Sequence, residues 1–200
     1  MVIAVPHVVL ACQALLVLVF AISVAGKVRD SAAFAEFVGA TRRLLPASIG
    51  ARPARWIAAG VVGAEVTAVV SLLLPVSTVL GFLLALVLLA GFTAAVLLAL
   101  RRGERAPCRC FGTSTHPLGA AQVVRNAILL AAAALGGIGA VSSPAEVIEP
   151  GGVAIALLAA GLVALPVLLA DDIADLFRAT PQKPSPEKPT SQFSSFEKGA

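Results

Sequence analysis

Five long apolar runs separated by short polar stretches organise this chain. They extend from about Val8 to Ala25, Trp56 to Leu74, Val79 to Leu100, Ala120 to Val141 and Gly152 to Ala170. Crossing a hydrocarbon core roughly 30 Å thick takes about 20 apolar residues, and each run is near that length. Leu and Ala, both good helix formers, dominate the runs, and the period-two alternation of a membrane β-barrel is absent. A helix satisfies its backbone hydrogen bonds internally, as lipid requires. The pattern predicts an all-α, polytopic membrane helical bundle of about five transmembrane helices. The link PVST, from Pro75 to Thr78, is short enough to force an antiparallel hairpin between the second and third runs.

Departures from the apolar pattern mark the remaining organisation. Glu65 interrupts the second run, Arg125 and Asn126 stand near the start of the fourth, and Pro166 lies near the end of the fifth. The first run has no positive region before it and no convincing A-x-A site after it, so it reads as a retained helix and not a cleaved signal. Between the first two runs, Phe34, Phe37, Val38 and Leu44 recur at helical spacing beside Arg42 and Arg43. That spacing predicts a short amphipathic helix on the membrane surface, its basic side towards anionic lipid. After Phe177 the chain turns rich in Pro, Ser and Lys and cannot bury enough apolar surface to fold. Three parts follow: a membrane domain over 1–140, a fifth transmembrane helix with its cytoplasmic end over 141–178, and a disordered tail over 179–200.

Composition agrees with a membrane protein. Of 200 residues, 58% are hydrophobic and 13% charged, and the mean hydropathy is +0.96, outside the range of a soluble domain. Basic residues gather on alternate links: Lys27, Arg29, Arg42, Arg43, Arg52 and Arg55 after the first run, Arg101, Arg102, Arg105 and Arg109 after the third, and Arg178 with three lysines in the tail. PVST carries no charge, and SSPAEVIEP carries only Glu146 and Glu149. By the positive-inside rule the amino terminus is outside, the carboxyl terminus cytoplasmic, and the link between the third and fourth runs cytoplasmic. Topology accounts for the net charge of +4, and no nucleic acid partner is needed.

Candidate chemistry concentrates in PCRCFG, residues 107–112. Cys12, alone in an apolar helix, reads as a small hydrophobe, but Cys108 and Cys110 are separated by one residue. A disulfide closing so small a ring is strained and easily reduced. Arg102, Arg105 and Arg109 favour thiolate, the form that attacks disulfides or holds metal. Three readings stay open: a redox pair, an incomplete soft-metal set with His116, and plain loop residues at an interface. An ionisable Glu65 within a membrane helix tends to be paired or functional; Arg125 and Asn126 are its nearest plausible partners, with Thr93 joining by hydrogen bonding. Such a cluster serves either as a proton- or redox-linked site or as a polar clamp between helices. No nucleotide loop, zinc-protease motif or hydrolase elbow is present, and no cofactor or metal is implied.

In order along the chain stand Ala25-Gly26-Lys27, Glu65, Gly91-Phe92-Thr93, Arg102-Gly103, Cys108-x-Cys110-Phe111-Gly112 and Arg125-Asn126. This series resembles the MauE family of methylamine utilisation membrane proteins, related to DoxX-like helical bundles, over roughly residues 8–140. The resemblance implies a DoxX-like four-helix core and a role in methylamine metabolism. It further implies support of the maturation or processing of the methylamine dehydrogenase small subunit, a periplasmic protein dense in disulfides, with a thioredoxin-like partner, MauD. That context favours thiol exchange through Cys108 and Cys110 over metal binding. Arg109 stands where the family commonly has glycine.

The leading expectation is an accessory membrane protein whose Cys108 and Cys110 exchange thiol and disulfide states with a thioredoxin-like partner, for the benefit of a maturing client. Glu65, Thr93, Arg109, Arg125 and Asn126 would support that site. Two alternatives belong to other classes: a small-solute or metal transporter built on Glu65 and Arg125, and a structural membrane scaffold.

Overall fold

The computed structural model describes residues 4–45, 50–101, 120–142 and 150–178. Among these there are six α-helices and no strand: α1 (Ala4–Val28), α2 (Ser31–Leu44), α3 (Ala51–Leu73), α4 (Thr78–Arg101), α5 (Ala120–Ser142) and α6 (Pro150–Arg178). Four segments, Val5–Val28, Arg52–Leu73, Pro75–Arg101 and Gln122–Ser142, are long and apolar enough to cross a membrane, and Pro150–Pro166 is a shorter apolar helix. The architecture is the all-α polytopic bundle that the apolar runs predict. The PCRCFG link and the tail lie outside the described residues.

The link from α3 to α4 is a single 3-10 turn, Pro75–Ser77, with Pro at its start. Proline cannot continue the α-helical ladder, so α3 ends there and α4 folds back antiparallel. Ser77 Oγ donates to Ser71 O at 3.0 Å, tying the turn to α3. The hairpin is close-packed: a Cβ at Gly81 would stand 2.7 Å from the Leu72 backbone nitrogen, so only glycine fits. Gln13 of α1 donates its side-chain amide to Leu72 O, satisfying a carbonyl that the end of α3 leaves without an intrahelical partner.

Helices α1, α3, α4 and α5 enclose the core. Leu16, Phe20, Phe82, Leu89 and Leu129 are among its fully or almost fully buried side chains. Alpha5 meets α1 and α4 through small residues: a Cβ at Gly136 would collide with the Phe82 ring and with Cys12 Cβ, and one at Gly139 with Val9. Cys12 is partly buried against this core, as its apolar surroundings suggested. Alpha6 packs mainly on α1 through Ala156, Ala160 and Ala164, buried at four-residue intervals. Such a stripe of small side chains lets two membrane helices approach closely. Leu157, Leu158, Leu162 and Leu165 are exposed on its outer face. Pro166 lies inside α6 and does not end it.

Alpha2 is the short amphipathic helix that the spacing of Phe34, Phe37, Val38 and Leu44 predicts. Asp30 caps it, accepting from Ala33 N at 2.7 Å, and it then packs against α3, α1 and α4. Phe37 and Ala40 are buried, and Leu44 joins Val96, Ala99, Leu100 and Val123 in a satellite cluster. The apolar face that the sequence shows is real, and in the bundle part of it is covered by protein, which also covers the end of α1 and the charge it carries.

Candidate functional site

At one end of the apolar core the buried residues become polar. On α1, Leu16, Phe20, Ser23 and Lys27 follow one another at spacings of four, three and four along one face, and all are at most 2% exposed. The first two belong to the core and the last two extend it into polar territory. On α3, Glu65 is fully buried. On α5, Gln122, Arg125 and Asn126 are buried within two turns of Leu129. On α4, Phe92 lies one turn beyond Leu89. The antiparallel packing of α5 on α1 and α4 brings these levels to the same end of the bundle. There α4 stops at Arg101 and α5 starts at Ala120.

The centre of the site is an ion pair between Lys27 Nζ and Glu65 Oε1, with side chains 1% and 0% exposed. Lys27 Nζ also donates to Ser23 Oγ at 3.0 Å, and Ser23 Oγ donates to Glu65 Oε1 at 3.4 Å. The ammonium stands 4.8 Å from the centre of the Phe37 ring and 5.2 Å from that of Phe92. Helix α2 thus supplies one aromatic wall and α4 the other. Aromatic faces attract a desolvated cation, and a cation in the last turn of α1 also meets the negative end of that helix dipole. A lone charge here would be prohibitive, so the pair, the hydroxyl and the rings act together.

This arrangement corrects the expected pairing of Glu65 with Arg125 and Asn126. The partner is Lys27, which reads from the sequence as a charge of the following link because it stands beside Arg29. Its spacing from Ser23 and Phe20 is the signal that placed it on the inner face. Thr93 turns back to its own helix instead: its hydroxyl donates to Leu89 O at 2.7 Å. Arg125 and Asn126 are brought to the same end of the core and are buried there, 6% and 2% exposed. Gln122, Ser23 and the two aromatic rings are further members that sequence reasoning missed. Cys108, Arg109 and Cys110 lie outside the described residues.

Among the described residues, three buried oxygens of this region accept no hydrogen bond: Glu65 Oε2, Gln122 Oε1 and Asn126 Oδ1. Buried polar atoms are ordinarily satisfied, so the end of the bundle holds acceptor capacity that the described residues do not use. Chemically it offers a fixed ammonium–carboxylate pair with one carboxylate oxygen still able to take a donor.

Neither a curated protein nor a solved structure matches the chain. A family model does, that of the methylamine utilisation protein MauE, over residues 5–139. The match takes in α1 to α5 almost entirely, includes the polar site and the Cys108-Arg109-Cys110 link, and leaves out α6. Covering well over half of the chain, it places this multi-pass membrane protein in the MauE family.

Proposed function

We propose that the protein is a membrane accessory of methylamine utilisation that supports maturation of a client protein by thiol–disulfide exchange through Cys108 and Cys110. The observation that carries this reading is the family match across residues 5–139, within which a C-x-C pair joins two helices whose adjoining ends carry the buried polar site. A thioredoxin-like, MauD-like partner is the exchange partner. One thiolate attacks the partner's disulfide and forms a mixed disulfide; the second thiolate then displaces the partner's remaining sulfur. Two thiols here become one disulfide while the partner's disulfide becomes two thiols, so electrons and protons balance, and the exchange runs in either direction. Arg109 and Arg105 favour the thiolate form. The buried site fixes α1, α3, α4 and α5 at the end of the bundle where α4 stops and α5 starts, with Glu65, Arg125 and Asn126 as positioning residues. By its arginines the link faces the cytoplasm, with the amino terminus outside.

The test is trapping in cells. A Cys110→Ser variant should accumulate a mixed disulfide with a thioredoxin-like protein, and Cys108→Ser and Cys110→Ser should each abolish client maturation while the protein stays in the membrane. Full maturation with both variants would overturn the redox role.

One observation favours a second reading. Glu65 Oε2, Gln122 Oε1 and Asn126 Oδ1 could receive a small solute that donates hydrogen bonds, as a transporter would require. In that case Glu65→Gln would stop uptake into vesicles reconstituted with the purified chain, and the serine variants of the cysteines would transport normally.

A further inference from the structure

Helix α2 covers the Lys27 site without sealing against its neighbours. Between α2, α3 and α4 lies a cavity of about 250 Å³, walled by side chains that include Phe37, Leu44, Val61, Gly91, Phe92 and Ala95. The wall offers almost nothing polar, since the hydroxyl of Thr41, its one polar side chain, already donates to Phe37 O at 2.9 Å. Gly91 opens directly into this space: a Cβ added there meets no atom within 4 Å. Sites for small polar molecules place several convergent polar groups on their walls. This one suits a hydrocarbon chain.

The groove runs out where α2 ends and α3 begins, at Leu44, Leu45 and Ile57. Arg42 and Arg43 in the last turn of α2 and Arg52 and Arg55 in the first turns of α3 are all exposed at that end. The ion pairs seen among the described residues, Lys27 with Glu65 and Arg29 with Asp30, involve none of these four arginines. Trp56, next to Arg55, is 77% exposed, and exposed tryptophans of membrane helices sit at the headgroup level. The tryptophan sets the depth, the arginines set the charge, and the groove leads from there towards the hydrocarbon.

From these features we propose that the α2–α3–α4 groove is a binding site for one anionic phospholipid. Its acyl chain lies against Gly91, Phe37 and Phe92, and its phosphate sits among Arg42, Arg43, Arg52 and Arg55. The bound chain fills the space under α2 and so holds in place the helix whose Phe37 walls Lys27. The proposal stands apart from the cysteine chemistry and holds or fails independently of it.

Native mass spectrometry of the full-length chain in detergent, with phosphatidylglycerol or phosphatidylcholine added, tests it. The expected result is one retained phosphatidylglycerol per chain, in preference to phosphatidylcholine. Each arginine near the headgroup contributes about fivefold to the affinity for an anionic lipid, so Arg42→Gln with Arg43→Gln should weaken retention roughly 25-fold. Gly91→Leu fills the open space and should displace the lipid with all four arginines intact, and Ala95→Leu should do the same from the next turn. Cooperative melting in lipid-free detergent is the check that both variants are folded. Equal retention of the two lipids, displacement of the lipid by inorganic phosphate, or undiminished retention in both leucine variants would each overturn the proposal.

Discussion

Lys27 in the last turn of α1 and Glu65 within α3, 38 residues apart in sequence, form an ion pair with neither side chain more than 1% exposed. Withdrawing two charges from water is costly, and the attraction between them offsets that cost only when both are present. Lys27→Met or Glu65→Leu alone should therefore destabilise the bundle by about 3–5 kcal/mol, and Lys27→Met together with Glu65→Leu should recover most of the loss. Thermal melting of the three variants in detergent gives the double-mutant cycle. A double variant as unstable as the sum of the singles would show that the two residues do not act as a pair.

Close helix packing makes a contrasting prediction for two glycines. Gly81→Ala forces a methyl against the Leu72 backbone, which cannot swing aside as a side chain does, so a loss of about 1–3 kcal/mol is expected. Gly60→Ala meets nothing within 4 Å and should stabilise α3 by up to about 1 kcal/mol through helix propensity. The two melting curves should shift in opposite directions.

Asp30 links α1 to α2 and titrates outside the membrane spans. The Ala33 N–H and the Arg29 side chain, at 3.2 Å, hold its carboxyl below the usual carboxylate range. A depressed value in the folded state means that the charged cap stabilises α2 at pH values above the ordinary carboxylate range. That contribution is lost as pH falls through the depressed value. Hydrogen exchange of α2 amides should accelerate over that acidic window in the wild type. Asn caps as well as Asp does without titrating, so Asp30→Asn should keep α2 protected with a flatter pH response.

Sidedness of the cysteine link has its own measurement. A membrane-impermeant maleimide applied to intact cells should leave Cys108 and Cys110 unlabelled, and should label them after the cytoplasmic face is opened and the sample reduced. Labelling from outside would reverse the orientation and place the exchange on the periplasmic face.

Alpha6 rests on α1 through alanines, and Ala160 is 5% exposed. Ala160→Leu adds three carbons to a face with no room for them and should separate α6 from α1. Cross-linking between α1 and α6 reports that separation, and the family-matched helices α1 to α5 should still melt cooperatively.

Hydrocarbon thickness and the need to satisfy every backbone group leave a long apolar run one outcome, so the helices of this chain are legible in its amino-acid order. Apolar length located α1, α3, α4 and α5 to within a few residues. Pro75 fixed the hairpin, and Glu65, Arg125 and Asn126 stood out because charged and polar groups are rare in such runs. The order of short motifs from Ala25 to Asn126 identified the family. Which polar groups meet is set by how the helices pack. Lys27 lies two residues before Arg29, and only the way α1 ends against α3, under α2, turns it inward to Glu65 and not outward to water. The same packing turned the Phe37 face of α2 onto the bundle, since a buried ammonium needs a cover and that face provides it. Pairing across helices depends on register and rotation, which a one-dimensional pattern of apolar residues leaves open.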